Sequence, residues 1–246
     1  MPRTSTLIAL EGVPNFRDLG GVECGDAAMR SGVLYRSAHH ADATDADVAR
    51  IAQMGLKLYA DLRRPVERER HPTRRPDRCS ADLAANSQAR PGDEAPHMSY
   101  LLSPEASEVW LGDRLTEFYA GYPFDPGLKE VAQATFEALA ASKTPVVIHC
   151  HAGKDRTGYL IALIMALLGA DEETIFAEYL FTNEVYPGEA RVDEIMAAFM
   201  KAVGKTPNRD HIRFMLTADA RYLRSSFDSL HQQHGSVERY LEEELG

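Results

Sequence analysis

Two kinds of hydrophobic pattern alternate along the chain. Short β-branched or aromatic runs are typical of buried strands and occur at 33–36, 56–62 and 146–150. Longer segments repeat apolar residues every three or four positions, which predicts helices, at 111–122, 128–139, 159–168, 175–180, 192–203, 223–230 and 240–245. The pattern predicts an α/β fold in which a central, mostly parallel sheet is flanked by helices, with a helix-rich C-terminal half.

Local signals set several boundaries of these elements. Asp125 followed by Pro126 is typical of an N-cap and a first helical residue, and Ser236 after Gly235 predicts the start of a last helix. The stretch 70–104 is rich in Pro, Ala, Asp and Ser and lacks periodicity, so we expect a mobile loop or lid there. No repeat or linker interrupts the chain, which predicts a single domain over 1–246.

Composition narrows the class of protein. With 44% hydrophobic residues, 17 Gly and 13 Pro in 246 residues, the chain is neither disordered nor fibrous. Its 27 basic and 37 acidic residues leave a net charge of −10, which argues against a nucleic-acid partner. No apolar run suits a signal peptide or a membrane span, which predicts a cytoplasmic protein and leaves non-classical secretion open.

The segment 63–78 departs from the acidic average. It holds seven arginines against Glu67, Glu69 and Asp77, a local balance of +4. Such runs are usually solvated and paired internally. The alternative is a basic surface that faces phosphate groups.

Candidate chemistry concentrates in 145–170, which is typical of a buried strand, a short loop and a buried helix. Cys150 closes the strand, and Arg156 and Thr157 enter the helix. Backbone N–H groups and the helix dipole would converge on the loop, where they suit a dianion and favour a cysteine thiolate. The guanidinium of Arg156 matches two phosphate oxygens. This arrangement predicts phosphoryl transfer to sulfur, with no metal and no other cofactor.

Three other kinds of site can be compared with this segment. A Walker phosphate loop requires GxxxxGK[ST], and Gly153-Lys154 is followed by Asp155 with no glycine five residues earlier. A rhodanese-like sulfur transferase also places a cysteine before a helix, but the six-residue step from Cys150 to Arg156 fits phosphate better. A buried structural cysteine stays open, since that is the commonest role of a lone cysteine at a strand end.

The string HCHAGKDRTG at 149–158 resembles the HCxxGxxRTG motif of cysteine-dependent protein tyrosine phosphatases. Its GKDRT portion is similar to the atypical bacterial branch that includes secreted mycobacterial and listerial phosphatases active on phosphopeptides and phosphoinositides. Further matches cover nearly the whole chain: NFRDLGG at 15–21, LYRS at 34–37, DLR at 61–63, EYLFTN at 178–183 and GSVERYL at 235–241.

The resemblance implies roles for individual residues. Cys150 would be the nucleophile and Arg156 the phosphate ligand, while Lys154 and Asp155 line the loop and Lys154 meets a second phosphate. The phosphate-binding set also contains His151, Ala152, Gly153 and Thr157. Arg36, Asp61 and Arg63 are expected beside them, because ligands of parallel sheets collect beyond the carboxyl ends of the strands.

The general acid is the missing part of the pattern. No WPD-type aspartate occurs; Trp110 with Asp113 echoes it only superficially. Asp155 is the first choice because the loop carries it, with Asp61 and Asp93 as alternatives.

The predicted function is a protein tyrosine phosphatase, extending to dual-specificity or phosphoinositide activity. Its partners would be phosphorylated proteins or phosphoinositides, with phosphate or a similar oxyanion in the site. The alternative is a catalytically weak phosphate- or phosphoinositide-binding module. Redox control through a disulfide from Cys150 to Cys24 or Cys79 is a further, speculative option, since three cysteines without a CxxC pair indicate neither a disulfide framework nor a zinc site.

Overall fold

A six-stranded sheet lies at the centre of the computed structural model, which describes residues 2–77, 79–88 and 96–246. Its strand order is β1-β2-β5-β8-β6-β7, and the four strands from β5 to β7 in that order run parallel. The strands are β1 Thr6–Leu7, β2 Arg17–Asp18, β5 Leu34–Ser37, β6 Leu58–Asp61, β7 Asp82–Ala85 and β8 Val146–His149. Strands β3 (Glu23–Cys24) and β4 (Ala27–Ala28) form a separate hairpin.

Helices cover the sheet and make up most of the second half of the chain. In the first half they are α1 Asp45–Gln53, α2 Pro65–Arg70, α3 Glu108–Ala120 and α4 Pro126–Ala140. In the second half they are α5 Asp155–Leu167, α6 Glu172–Leu180, α7 Thr182–Val185, α8 Val192–Val203, α9 Arg209–Leu216, α10 Ala220–His234 and α11 Val237–Glu244. The predicted fold class is confirmed.

The hydrophobic core lies on both faces of the sheet, because successive strand residues point to opposite sides. Val146 and Ile148 join the larger cluster, which includes most of α5, whereas Val147 joins a smaller cluster with Phe16 and Tyr59. Helix α5 is buried from Thr157 to Met165. The start of α5 is therefore held rigidly behind the end of β8.

The three central strands end in one row. Ser37 of β5 and Asp61 of β6 are both paired with His149 of β8. The carboxyl ends of these strands thus meet at one edge of the sheet, and Cys150 follows directly at that edge.

Most predicted elements are present, and the predicted caps are confirmed: Asp125 accepts N–H groups of α4, and Ser236 accepts one of α11. The stretch predicted as a loop or lid differs, because β7 lies inside it and pairs with β6. An edge strand of four residues leaves no clear alternation in the sequence. Asp93 and Arg78 lie outside the described residues. Among the helices described, none is long and apolar enough to cross a membrane.

Candidate active site

The 150–156 loop turns sharply between β8 and α5. Cys150 is buried at the end of the strand, and the turn passes through Gly153 at φ +65°. A Cβ atom on Gly153 would lie 2.3 Å from the carbonyl oxygen of Ser37. Only glycine combines this positive φ with such a close approach of two backbones, so this residue type is required by the conformation of the loop.

Protein donors take up the outward-facing carbonyls of the loop. The Asn15 amide donates to Ala152 O at 3.1 Å and to Gly153 O at 2.9 Å, and the His39 N–H donates to His151 O at 3.1 Å. In a trans peptide the N–H of the following residue points in the opposite direction to the carbonyl group. The N–H groups of Ala152, Gly153 and Lys154 therefore point away from these donors, as an anion cradle requires.

Arg156 is held from outside the loop by Glu67 of α2. Its Nη1 donates to Glu67 Oε2 at 2.6 Å and its Nη2 to Glu67 Oε1 at 2.8 Å, while Nη1 also donates to Leu62 O at 3.1 Å. Among the described residues, nothing accepts from Nε or from the second N–H of Nη2. These two N–H groups form one edge of the guanidinium, which is the edge that can bind two phosphate oxygens.

The Glu67–Arg156 pair is permanently charged. Burial by itself would raise the pKa of Glu67, but the Arg156 guanidinium holds it well below its usual range. Burial would likewise lower the pKa of Arg156, and Glu67 instead raises it well above the ordinary value. Each partner thus stabilises the charge of the other.

The sequence analysis did not predict a role for Glu67 in the site, because it counted Glu67 only as one of three acidic residues in the arginine-rich run. The available signal was Pro65, typical of a first helical residue, followed two positions later by a glutamate, which can accept the N–H of the residue before the helix. The Glu67 carboxylate accepts the Arg64 N–H at 2.8 Å as well as the guanidinium. The helix cap and the orientation of Arg156 therefore depend on one side chain.

The other arginines of the 63–78 run mostly serve internal structure. Arg68 donates to Arg63 O at 2.6 Å, Arg74 donates to Ala43 O at 2.6 Å, and Arg75 lies 5.6 Å from the centre of the Tyr59 ring. These contacts favour the interpretation of the run as internally paired. They do not support an open basic surface formed by these three arginines.

Arg36 contacts the loop from below, whereas Asp61 and Arg63 bind each other at the end of β6, and the phosphate-binding role of all three stays a prediction. All three are fully buried. Arg36 donates to Gly153 O at 2.7 Å, and Arg63 donates to both oxygens of Asp61 at 2.7 and 2.9 Å. Burial alone would raise the pKa of Asp61, but His149 and Arg63 lower it to about 2. Their positions at strand ends place them at the edge of the sheet where Cys150 lies.

Lys154 follows Gly153 in the loop and contacts the end of α9. Its side chain is buried, and Nζ donates to Met215 O at 2.8 Å, at the end of α9. Burial lowers its pKa, and its carboxylate neighbour Asp155 partly offsets this. Lys154 thus ties the loop to α9, and its contact with a second phosphate stays a prediction.

Asp155 begins α5 beside the loop and is about a quarter exposed, at 26%. Its Oδ1 lies 3.5 Å from Lys154 Nζ. Burial and the nearby Asp155 carboxylate raise the pKa of Tyr119 well above its ordinary value, which places the carboxylate beside a buried tyrosine. The role of Asp155 as an acid stays a prediction.

The Thr157 hydroxyl is buried and has no hydrogen-bond partner among the described residues. Cys24, Cys79 and Cys150 are all unpaired. Redox control through a disulfide stays a prediction.

The ring of His151 in the loop lies beside two further histidine rings. The ring centre of His151 lies 4.8 Å from that of His39 and 5.7 Å from that of His71. Burial, then the Arg63 guanidinium, lowers the pKa of His39 to about 4. Burial, then His39, lowers the pKa of His151 to about 3. These two imidazoles are therefore neutral at pH 7 and present flat, uncharged rings beside the nucleophile position.

The amino-acid sequence is similar to a protein-family model and to several known proteins. The model of a group described as "Tyrosine phosphatase family" matches residues 8–246. Triple specificity protein phosphatase PtpB of Mycobacterium tuberculosis is 31% identical over 262 residues, covering 94% of this chain and 91% of its own length. A protein of Cupriavidus necator that is described as a tyrosine-protein phosphatase is 30% identical over 97% of this chain and 84% of its own length. A tyrosine-protein phosphatase of Nostoc commune is 28% identical over 89% of this chain and 71% of its own length.

Proposed function

This chain belongs to the tyrosine phosphatase family and is a cysteine-dependent protein tyrosine phosphatase, and we propose that Cys150 is its nucleophile and Arg156 its phosphate ligand. The observation that carries this assignment is the bidentate Glu67–Arg156 contact at 2.6 and 2.8 Å. It leaves the Nε–Nη2 edge of Arg156 without a partner among the described residues. Two phosphate oxygens fit that edge.

The proposed reaction proceeds in two steps. The Cys150 thiolate attacks phosphorus in line, so that an S–P bond forms while the bond from phosphorus to the leaving oxygen breaks. The inward N–H groups of residues 152–154 and the free edge of Arg156 stabilise the negative charge on the phosphoryl oxygens. Water then attacks phosphorus, the S–P bond breaks, and thiolate and inorganic phosphate are released.

We assign Asp155 as the acid that protonates the leaving oxygen and later activates water. It is partly exposed and directly precedes Arg156 in α5. Asp61, the alternative within the described residues, is fully buried and paired with Arg63. Its position supports a structural role and leaves Asp155 as the better candidate.

The substrates are phosphorylated molecules, and we propose phosphotyrosine as the preferred group. The neutral rings of His39 and His151 would contact an aryl leaving group better than the short chain of phosphoserine. The burial of Lys154 supports monophosphate rather than polyphosphate headgroups. Phosphoserine, phosphothreonine and phosphoinositides would then be slower substrates.

Release of inorganic phosphate from matched phosphotyrosine, phosphoserine and phosphothreonine peptides and from short-chain phosphoinositides tests the proposal. Cys150→Ser should reduce turnover on the order of a thousandfold or more while tungstate binding persists. Cys79→Ser is the matched control and should retain wild-type turnover. Substantial turnover by Cys150→Ser would refute the nucleophile assignment, and faster turnover of phosphoinositides would refute the substrate preference.

A further inference from the structure

A cluster of three charged side chains lies directly behind the 150–156 loop. Arg17 of β2, Arg36 of β5 and Glu178 of α6 are fully buried. Glu178 Oε1 lies 3.0 Å from Arg17 Nη1 and 3.3 Å from Arg36 Nη1. One carboxylate therefore joins two arginines from neighbouring strands.

The remaining contacts of the cluster are with neutral groups. Glu178 accepts from the backbone N–H of Ser5 at 2.8 Å and from its hydroxyl at 2.9 Å. Arg17 Nη2 donates to the Thr182 hydroxyl at 3.0 Å. Two guanidinium groups against one carboxylate leave an excess of one positive charge. A buried excess charge is unfavourable unless negative groups lie nearby.

Arg36 connects this cluster to the 150–156 loop through backbone carbonyl groups. Arg36 Nη2 donates to Gly153 O at 2.7 Å and lies 3.5 Å from Lys154 O. Burial lowers the pKa of Arg36, while Glu178 and then Cys150 raise it. An excess positive charge this close to the loop favours negative charge on a group that the loop carries.

We propose that Arg36 is a positioning residue of this phosphatase, which ties the loop at Gly153 and, with Arg17, supplies excess positive charge that favours the thiolate form of Cys150. Glu178 orients both guanidinium groups. The proposal rests on the proposed function in taking Cys150 as the nucleophile. It explains why two arginines share one carboxylate beneath a loop that must bind a dianion.

Three variants separate the effect of the excess positive charge from that of the contact between Arg36 and Gly153 O, which is called the tie below. Arg36→Met removes both, leaving a neutral Arg17–Glu178 pair. Arg17→Met removes the excess charge and keeps the contact of Arg36 with Gly153. Arg36→Lys keeps the charge but shortens the reach to Gly153 O. Lys129→Met is the control, because it removes a cation paired with Glu244 on the surface of α4 and α11.

The charge is measured by alkylation of Cys150 with iodoacetamide, followed by mass spectrometry, as the pH at which the alkylation rate is half its maximum between pH 4 and pH 9. A midpoint pH does not depend on access to the thiol. We expect this midpoint to rise by about one pH unit in Arg36→Met and by about half a unit in Arg17→Met, and to stay at the wild-type value in Arg36→Lys and Lys129→Met. The tie is read from tungstate affinity, which should fall about tenfold in Arg36→Lys.

Circular dichroism establishes that each variant is folded. A wild-type alkylation midpoint in folded Arg17→Met or Arg36→Met would overturn the charge part, and wild-type tungstate affinity in Arg36→Lys would overturn the contact with Gly153. If Arg36→Met does not fold, Arg17→Met decides the charge part. Neither measurement needs turnover: a wild-type protein that is alkylated readily at pH 6 and binds tungstate, yet releases no phosphate, would refute the proposed function alone.

Discussion

Glu67 binds Arg156 through both carboxylate oxygens, at 2.6 and 2.8 Å, across the gap between α2 and α5. The contact selects one orientation of the guanidinium before any substrate arrives. A preoriented charge stabilises a transition state without reorganising during the reaction. An acidic residue within an arginine-rich run thus determines how the phosphate ligand is presented.

Glu67→Gln should lower kcat/KM for a phosphotyrosine peptide about tenfold to a hundredfold, because the amide keeps only one acceptor and loses the charge that holds Arg156. Steady-state kinetics measures the effect. The control is Glu69→Gln, an exposed position on the same helix, which should retain wild-type kinetics. A Glu67→Gln value within twofold of wild type would contradict the positioning role.

Lys154→Met should lower the free energy of unfolding by about 1–3 kcal/mol, because Met215 O loses its buried donor. Since the ammonium is bound to Met215 O, turnover of phosphotyrosine and of phosphoinositides should fall by the same factor. Urea unfolding and the ratio of the two kcat/KM values check both statements. A selective loss of phosphoinositide turnover would show instead that Lys154 meets a second phosphate.

Asp155→Asn tests the proposed acid. We expect kcat to fall on the order of a hundredfold for phosphotyrosine and far less for 4-nitrophenyl phosphate, whose leaving group needs no proton. Asp113→Asn, an exposed position on α3, is the control and should leave both rates unchanged. Equal losses on the two substrates in Asp155→Asn would favour a structural role.

Gly153→Ala should abolish phosphatase activity, because its Cβ would lie 2.3 Å from Ser37 O. Gly204→Ala separates the two causes of strain: Gly204 has φ +71° and no neighbouring atom within 4 Å of an added Cβ. We expect Gly204→Ala to cost about 1–2 kcal/mol of stability and no activity. A fully active Gly153→Ala would show that the loop tolerates displacement.

Acid should destabilise the protein between about pH 6.5 and pH 4, partly through His39. Its pKa of about 4 in the folded state lies below the ordinary value, so the unfolded chain binds more protons than the folded one in this interval. The free energy of unfolding therefore decreases as the pH is lowered. His39→Gln should therefore reduce the loss of unfolding free energy between pH 7 and pH 5 by up to about 2 kcal/mol. Urea titrations at both pH values measure the loss, and an unchanged loss would contradict this assignment.

Periodicity and motif spacing predicted the parts of the molecule that are governed by local sequence. The run 146–150, the glycine at 153 and the apolar helix after it share one segment, so their order alone places a cysteine and an arginine around a turn. The caps at Asp125 and Ser236 depend only on adjacent residues. The edge strand β7 was missed because its pairing with β6 is not encoded in its own pattern.

The sequence by itself determined the α/β class, the cysteine–arginine loop and its phosphate chemistry, because strand, turn and helix preferences act over a few residues. Only the tertiary structure decided which charges face the ligand. It turned Lys154 toward α9, placed Arg36 beneath Gly153 and brought Glu67 to Arg156, 89 residues away in sequence. The physical reason is that a charged side chain pairs with whatever packing brings within about 3 Å, and packing joins segments that are remote in the chain.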